Sequence, residues 1–467
     1  MSAYTDACNY IDEIPKFAPK TGLDNTRAYL KSLGNPEQKY KIAHIAGTNG
    51  KGSVAKMVAL MLESAGYKTG LFISPHLVKM NERISINGED ISDEDFAEEY
   101  DLILEKVQQL QEEGYAHPAY FEFLFCMAAD YFAKNNCDYV VFETGLGGRL
   151  DATNTTTAVV SIITSIGFDH MQYLGNTIEE IAGEKAGIIK PGVPVVYNTG
   201  NEVADEVIKK TARERGSEAI AVTEAFEKLP EQVKEAVGFF ASLQAAGYQR
   251  DNAMTAAVAF MKLSEAGTVN CQVKTEQEKD ALKDASIDAD NVKAVSEKSA
   301  GETTGRTDWE VCIADALDRF SWPGRMEFLT EDIVIDGAHN ENAAKRFAES
   351  LKALMDSGKW KKLSLLFAVS SDKDYEEIIR IICESLELED VYVAELDSGR
   401  KTAATTVGSL FQNYRPAGEY WDTYCFNNVK SAWNTAVEER EEGTLLAVVG
   451  SLYLVGEIKA LLGSEMR

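Results

Sequence analysis

Seven consecutive residues, Gly47-Thr48-Asn49-Gly50-Lys51-Gly52-Ser53, combine three glycines with a lysine and two hydroxyls. That combination suits a triphosphate. Glycines let backbone N–H groups turn inward around phosphate oxygens. A lysine can reach the terminal phosphates and a serine hydroxyl can ligate Mg²⁺. If a helix starts here, its N-terminus adds partial positive charge. The flanks support this: residues 41–46 end in an apolar run, as a strand entering a core would. Val54, Met57, Val58, Met61, Leu62 and Ala65 then recur at helical spacing, and Gly66 stands where a helix stop is expected. A glycine turn without function would need no such flanks. The run departs from the usual P-loop at two points: Gly52 separates the lysine from the serine, and Ile45 occupies the place of the leading glycine.

Further reactive groups follow two other apolar runs. Tyr139-Val140-Val141-Phe142 leads into Glu143-Thr144-Gly145-Leu146-Gly147-Gly148-Arg149-Leu150-Asp151-Ala152-Thr153-Asn154. An acidic residue closing a buried strand near a P-loop is suited to a hard cation such as Mg²⁺. Residues 158–164 form the next such strand and lead to Asp169-His170. His170 is one of five histidines, and at a strand end beside a metal site it is a functional candidate rather than a core histidine. Lys185, in Glu184-Lys185-Ala186-Gly187, reads by itself as a solvated helix lysine.

The elements that must position these groups alternate. Strands are expected at 69–73, 138–142 and 158–164, and helices at 96–111 and 120–134. Alternation of this kind predicts an α/β fold with a largely parallel sheet, whose ligands bind at the carboxyl ends of strands. The span 274–306 is polar with little apolar periodicity and reads as a surface insertion or linker. The alternation then restarts, with strands expected at 332–335, 363–369, 391–395 and 445–449 and a helix at 343–354. The predicted division is 1–318, carrying the P-loop sheet and a polar insertion at about 268–308, and 319–467, a smaller Rossmann-like unit. A formal charge of −28 argues against nucleic acid and anionic membrane as partners. Seven scattered cysteines suit reduced thiols, the N-terminal residues lack a signal-peptide pattern, and no apolar run reaches membrane length. A cytoplasmic protein is expected.

Taken together, the ordered motifs resemble a known family. They are the 47–53 loop, Ser74-Pro75-His76-Leu77, Asn81-Glu82-Arg83-Ile84, the 143–154 run and Glu184-Lys185-Ala186-Gly187-Ile188. Trp322-Pro323-Gly324-Arg325, Asp336-Gly337-Ala338-His339-Asn340, Asp372-Lys373-Asp374 and Gly450-Ser451-Leu452-Tyr453 continue the series. The set is similar to the folylpolyglutamate synthase and dihydrofolate synthase family, relatives of the Mur ligases. Gly247-Tyr248-Gln249-x-x-Asn252 matches a family segment that often carries His where Tyr248 stands.

The resemblance implies an ATP-dependent ligase that adds γ-linked L-glutamate to a reduced folate through an acyl phosphate. It implies Lys51, His170, Lys185 and His339 as the catalytic set. Residues 47–53, Asn252, Arg325 and Asp336 would bind nucleotide. Ser53, Glu143, His170 and a carbamylated Lys185 would hold one or two Mg²⁺ ions, with room for K⁺. Ser74, His76, Arg83, Tyr120, Phe121 and Asp151 would line the acceptor site. For Phe121, Phe123 and Phe125 a pterin-stacking role and a plain core face both stand open. The partners implied are folate and L-glutamate, acting on a monomer.

Three alternatives stand beside this. One is dihydrofolate synthase, joining dihydropteroate to glutamate, alone or as a second activity by the same chemistry. Another is a Mur-type ligase on a nucleotide-sugar peptide, against which Ser74–Leu77 and Gly52 argue. The last is a P-loop switch, against which Arg325, Asp336 and His339 argue, as does the lack of an Asn-Lys-x-Asp guanine-reading motif.

Overall fold

A computed structural model describes residues 2–15, 22–269, 308–397 and 401–465. Two sheets carry the fold. The first holds β1 (Lys41–Ala46), β2 (Thr69–Phe72), β3 (Ile84–Ile86), β4 (Glu89–Asp90), β5 (Tyr139–Glu143), β6 (Val160–Ile163), β7 (Val195–Tyr197) and β8 (Ala219–Ala221). Their order is β4-β3-β2-β5-β1-β6-β7-β8, parallel throughout except for the antiparallel β3 and β4 at one edge. The central strands are apolar on both faces because helices cover both. On one side the P-loop helix Lys51–Ser64 packs with Tyr248–Glu265 and Asp308–Asp318. On the other lies Tyr120–Lys134, whose Phe123, Phe125 and Phe132 are fully buried.

The second sheet holds β9 (Glu327–Thr330), β10 (Ile333–Ile335), β11 (Lys362–Phe367), β12 (Asp390–Ala394), β13 (Asp422–Phe426) and β14 (Thr444–Val449). Its order is β13-β12-β11-β14-β10-β9, parallel apart from β9. Separate buried clusters on its two faces form a second core. The expected α/β class, a P-loop sheet followed by a smaller Rossmann-like unit, is the fold observed. The expected strands appear within one or two residues at each end. The hairpin β3–β4, the antiparallel β9 and the short β7 and β8 carried no sequence expectation, since two to four residues offer too little alternation to read. The polar segment expected at 268–308 lies, apart from its terminal residues, outside the described residues.

Candidate active site

Strand order explains why residues about a hundred positions apart meet. β5 and β6 flank β1, so the carboxyl ends of all three open onto one place. The P-loop leaves β1, Glu143 ends β5, and the segment after β6 runs to His170.

Two loop glycines are required by what approaches them. Gly50 caps the P-loop helix at φ 85°, and a Cβ there would strike the Asn252 side chain. A Cβ on Gly52 would lie 2.7 Å from Cζ2 of Trp322 and 3.4 Å from Oε2 of Glu143. The extra glycine between Lys51 and Ser53 therefore makes room for an indole arriving from the link between the two sheets.

Lys51 Nζ donates to the Thr48 carbonyl at 3.2 Å and stands 4.0 Å from Oε1 of Glu143. The other Glu143 oxygen accepts the Ser74 backbone N–H at 3.0 Å. Burial raises the Glu143 carboxyl above the ordinary carboxylate range, against the pull of Lys51. Ser53 is buried, and its hydroxyl accepts from Gln249 Nε2 at 3.4 Å. Lys185 is buried too, and its ammonium donates to the Gly47 carbonyl at 2.6 Å. The solvated lysine that sequence chemistry alone suggests is thus replaced by one drawn under the P-loop.

His170 takes a left-handed conformation, φ 49°, ahead of the helix Met171–Leu174. Burial lowers its pKa to about 4, so the ring is neutral at pH 7. Beside it, Asp169 is held well below the ordinary carboxylate range: burial opposes this, but Lys373 at 3.0 Å overrides it. Lys373 comes from the second sheet's side, as does Asn340, whose amide donates to the other Asp169 oxygen at 3.2 Å. Asn340 also exchanges amide hydrogen bonds with Asn49 at 3.1 and 3.2 Å. The two sheets therefore meet over the P-loop.

A cavity of about 770 Å³ lies at this meeting. Lys51, Ser53, Glu143, His170, Lys185, Arg325 and His339 all line it. A second cavity of about 110 Å³ lies beyond, lined by Asn252, Tyr248 and Asp336. Asn49, Gly50, Ser53, Arg325 and His339 border both. His339 is half-buried, its loss of hydration lowers its pKa to about 4, and Nδ1 donates to the Gly337 carbonyl at 2.7 Å. Asp336 is buried, and burial raises its carboxyl. It accepts from Tyr248 OH at 2.9 Å and from the backbone of Met326 and Ala338 at 2.8 Å each.

The expected acceptor residues are less united. Ser74 lines the large cavity; His76, Arg83, Tyr120, Phe121 and Asp151 do not. Arg83 Nε donates to His76 Nδ1 at 2.9 Å and its guanidinium sits 5.4 Å from the Tyr120 ring centre. Phe121 is partly buried and fills the space a Cβ on Gly145 would take, whereas Phe123 and Phe125 are core. Asp151 accepts from Thr153 Oγ1 at 2.6 Å and Leu146 N–H at 2.9 Å, holding the loop after β5 in shape. Sequence reasoning gave no role to Asp169, Gln249, Asn340 or Lys373. All four lay within segments singled out for other residues, which was the available signal.

A P-loop sheet followed by a smaller parallel sheet, with a cleft between them, is the build of a Mur-type ligase. Residues 45–260 match the model of the Mur ligase middle domain, and residues 326–462 that of the dihydrofolate synthetase C-terminal domain. The dihydrofolate synthase/folylpolyglutamate synthase of Bacillus subtilis is 32% identical over 98% of this chain and 99% of its own. The folylpolyglutamate synthase structure from Thermotoga maritima superposes with TM-score 0.74 at 28% identity, covering 99% and 97% of the two chains. The Yersinia pestis bifunctional folylpolyglutamate synthase/dihydrofolate synthase, solved with AMPPNP and a Mn ion, shares the fold at TM-score 0.74 and 23% identity over 99% and 98%. The chain belongs to the folylpolyglutamate synthase/dihydrofolate synthase family.

Proposed function

We propose that the protein uses ATP to join L-glutamate to a folate, forming a γ-linked amide on tetrahydrofolate and releasing ADP and phosphate. The same site would accept dihydropteroate as a second carboxylate. The observation that carries this reading is the single cavity walled by Lys51 of the P-loop and by Arg325 and His339 from the other sheet. A carboxylate is a poor electrophile, so the acceptor is first phosphorylated by ATP, and the glutamate amine then displaces phosphate. Such chemistry needs positioning and charge stabilisation rather than an enzyme nucleophile.

In this reading Lys51 neutralises charge on the terminal phosphates and Arg325 approaches them from the opposite wall. The smaller cavity, with Asn252 and Asp336 in its wall, takes the nucleoside. Neutral His339 serves the incoming amine. Closure of the two halves keeps water from the acyl phosphate.

Among the described residues no three His, Cys, Asp or Glu side chains cluster as metal ligands. A carboxylate, a neutral imidazole and a hydroxyl nevertheless fit Mg²⁺ where phosphate oxygens share the ion. Glu143, His170 and Ser53 would hold it, and bound Mg²⁺ would neutralise phosphate charge. Lys185 would take part as a carbamate, whose remaining N–H can still donate to Gly47 while two new oxygens face a second ion or K⁺. His76, Arg83, Tyr120, Phe121 and Asp151 would shape the acceptor side behind Ser74.

We assign residues 1–318 and 319–467 to the two domains, because helix Asp308–Asp318 packs into the first core and the chain from Met326 onward supplies all of the second but Ala246 and its neighbours Ala245 and Tyr248. The reading also takes the chain as a cytoplasmic monomer that binds no nucleic acid. Charge −28 favours the last point. Free thiols at Cys8, Cys126, Cys137 and Cys383 suit a reducing compartment. No helix among the described residues is long and apolar enough to cross a membrane. The test is ADP release measured with tetrahydrofolate or dihydropteroate, with and without glutamate. Release that ignores both would refute the ligase reading; release with only one acceptor would fix which.

A further inference from the structure

Five side-chain ties cross between the two halves near the nucleotide cavities. They are Asn49 with Asn340, Asp169 with Asn340, Asp169 with Lys373, Asp251 with Arg346, and Tyr248 with Asp336. The last differs from the others in what its acceptor controls. Asp336 holds Met326 N–H on Oδ2, directly after Arg325, and Ala338 N–H on Oδ1, directly before His339. Its carboxylate therefore fixes both loops that border the two cavities. Those two donors belong to Asp336's own half. The Tyr248 phenol, bonded at 2.9 Å to Oδ2, comes from the first residue of a helix of the other half, although its ring packs against the second core.

Tyr248 also opens the helix Tyr248–Glu265, whose Gln249 donates to Ser53 and whose Asn252 abuts Gly50. One helix end thus touches the P-loop on one side and Asp336 on the other. We propose that Tyr248 is a positioning residue whose phenol, by binding Asp336, brings the Arg325 and His339 loops onto the nucleotide as the halves close. The proposal rests on the ligase reading above. The phenol bond joins the helix that touches the P-loop to Asp336, so it favours the arrangement in which both flank the cavities.

Tyr248→Phe tests it in the full chain, since it keeps the ring in the cavity wall and removes only the donor. Calorimetry with MgADP should show affinity weakened about tenfold, the order expected for one lost donor to a buried carboxylate. Turnover with tetrahydrofolate and glutamate should fall about as much, while the KM for tetrahydrofolate stays within twofold. The melting profile should match the parent. In the Asp336→Asn background the same substitution should add less than a twofold effect. Parent-like MgADP affinity and turnover in Tyr248→Phe would overturn the proposal, as would fully additive effects in the double variant. A parallel fall of all parameters that follows a lowered folded fraction would overturn it too, reducing Tyr248 to a packing residue. A parent chain that binds MgADP but ligates no glutamate counts against the ligase reading alone, and the MgADP comparison still decides the role of Tyr248.

Discussion

Replacing Lys373 by Met removes the cation that holds Asp169 across the two halves. Both side chains are 13% exposed and their charged atoms are 3.0 Å apart. In a medium of effective dielectric about 20 such a pair attracts with about 5 kcal/mol, offset largely by the loss of hydration. Breaking one partner of a buried pair costs about 3–5 kcal/mol because the other charge is left uncompensated. Here the lower figure applies, since the Asn340 amide still donates to Asp169. That cost falls on the closed state. When the halves separate, water can reach Asp169 and the penalty vanishes. About 3 kcal/mol corresponds to about a hundredfold at 1.36 kcal/mol per decade. Lys373→Met should therefore lower kcat/KM for ATP about a hundredfold, read by coupled ADP release, with circular-dichroism melts close to the parent's. Asp169→Asn combined with Lys373→Met should recover part of the loss, because no uncompensated charge remains. Turnover within threefold of the parent in Lys373→Met would refute the argument, and so would a double variant worse than the sum of its parts.

Lys51→Ala should cut turnover about 10²–10³-fold with the fold intact, the order seen for loss of one transition-state charge stabiliser; near-normal turnover in a folded variant would remove Lys51 from the phosphate site. Lys185→Ala should lose most activity and regain some with added small carboxylates, whereas full activity in Lys185→Arg would exclude a carbamate, which arginine cannot form. Glu99 offers a pH test away from the site. Burial pushes its carboxyl up to about 7, although Lys134 lies 2.8 Å away. A raised folded pKa gives stability that is present below the ordinary carboxylate value and lost as pH rises through about 7. Glu99→Gln should therefore melt higher than the parent at pH 8 and alike at pH 4; a lower midpoint at pH 8 would show that the ion pair outweighs burial.

The sequence by itself determined the elements whose own residues repeat strongly. Lys41–Ala46 and the apolar stripe from Val54 to Leu62 announce a strand, a phosphate loop and a helix, because burial on one side imposes a period that a single segment displays. The helix Tyr120–Lys134 was legible to the residue for the same reason. Ordered motifs also brought together most candidate residues, including Arg325 and His339. What they could not convey is adjacency. That Glu143 and His170 flank the P-loop follows from β5 and β6 pairing with β1, a choice made by packing across a hundred residues. Whether Lys185 faces solvent or the Gly47 carbonyl, and whether Phe121 or Phe123 is core, depends on which neighbours remove water. The ties of Asp169 to Lys373 and of Tyr248 to Asp336 exist only because two separately built sheets meet. A local pattern records how one segment is buried against its surroundings. It carries no record of which distant charge completes that burial, and only the tertiary structure decides that.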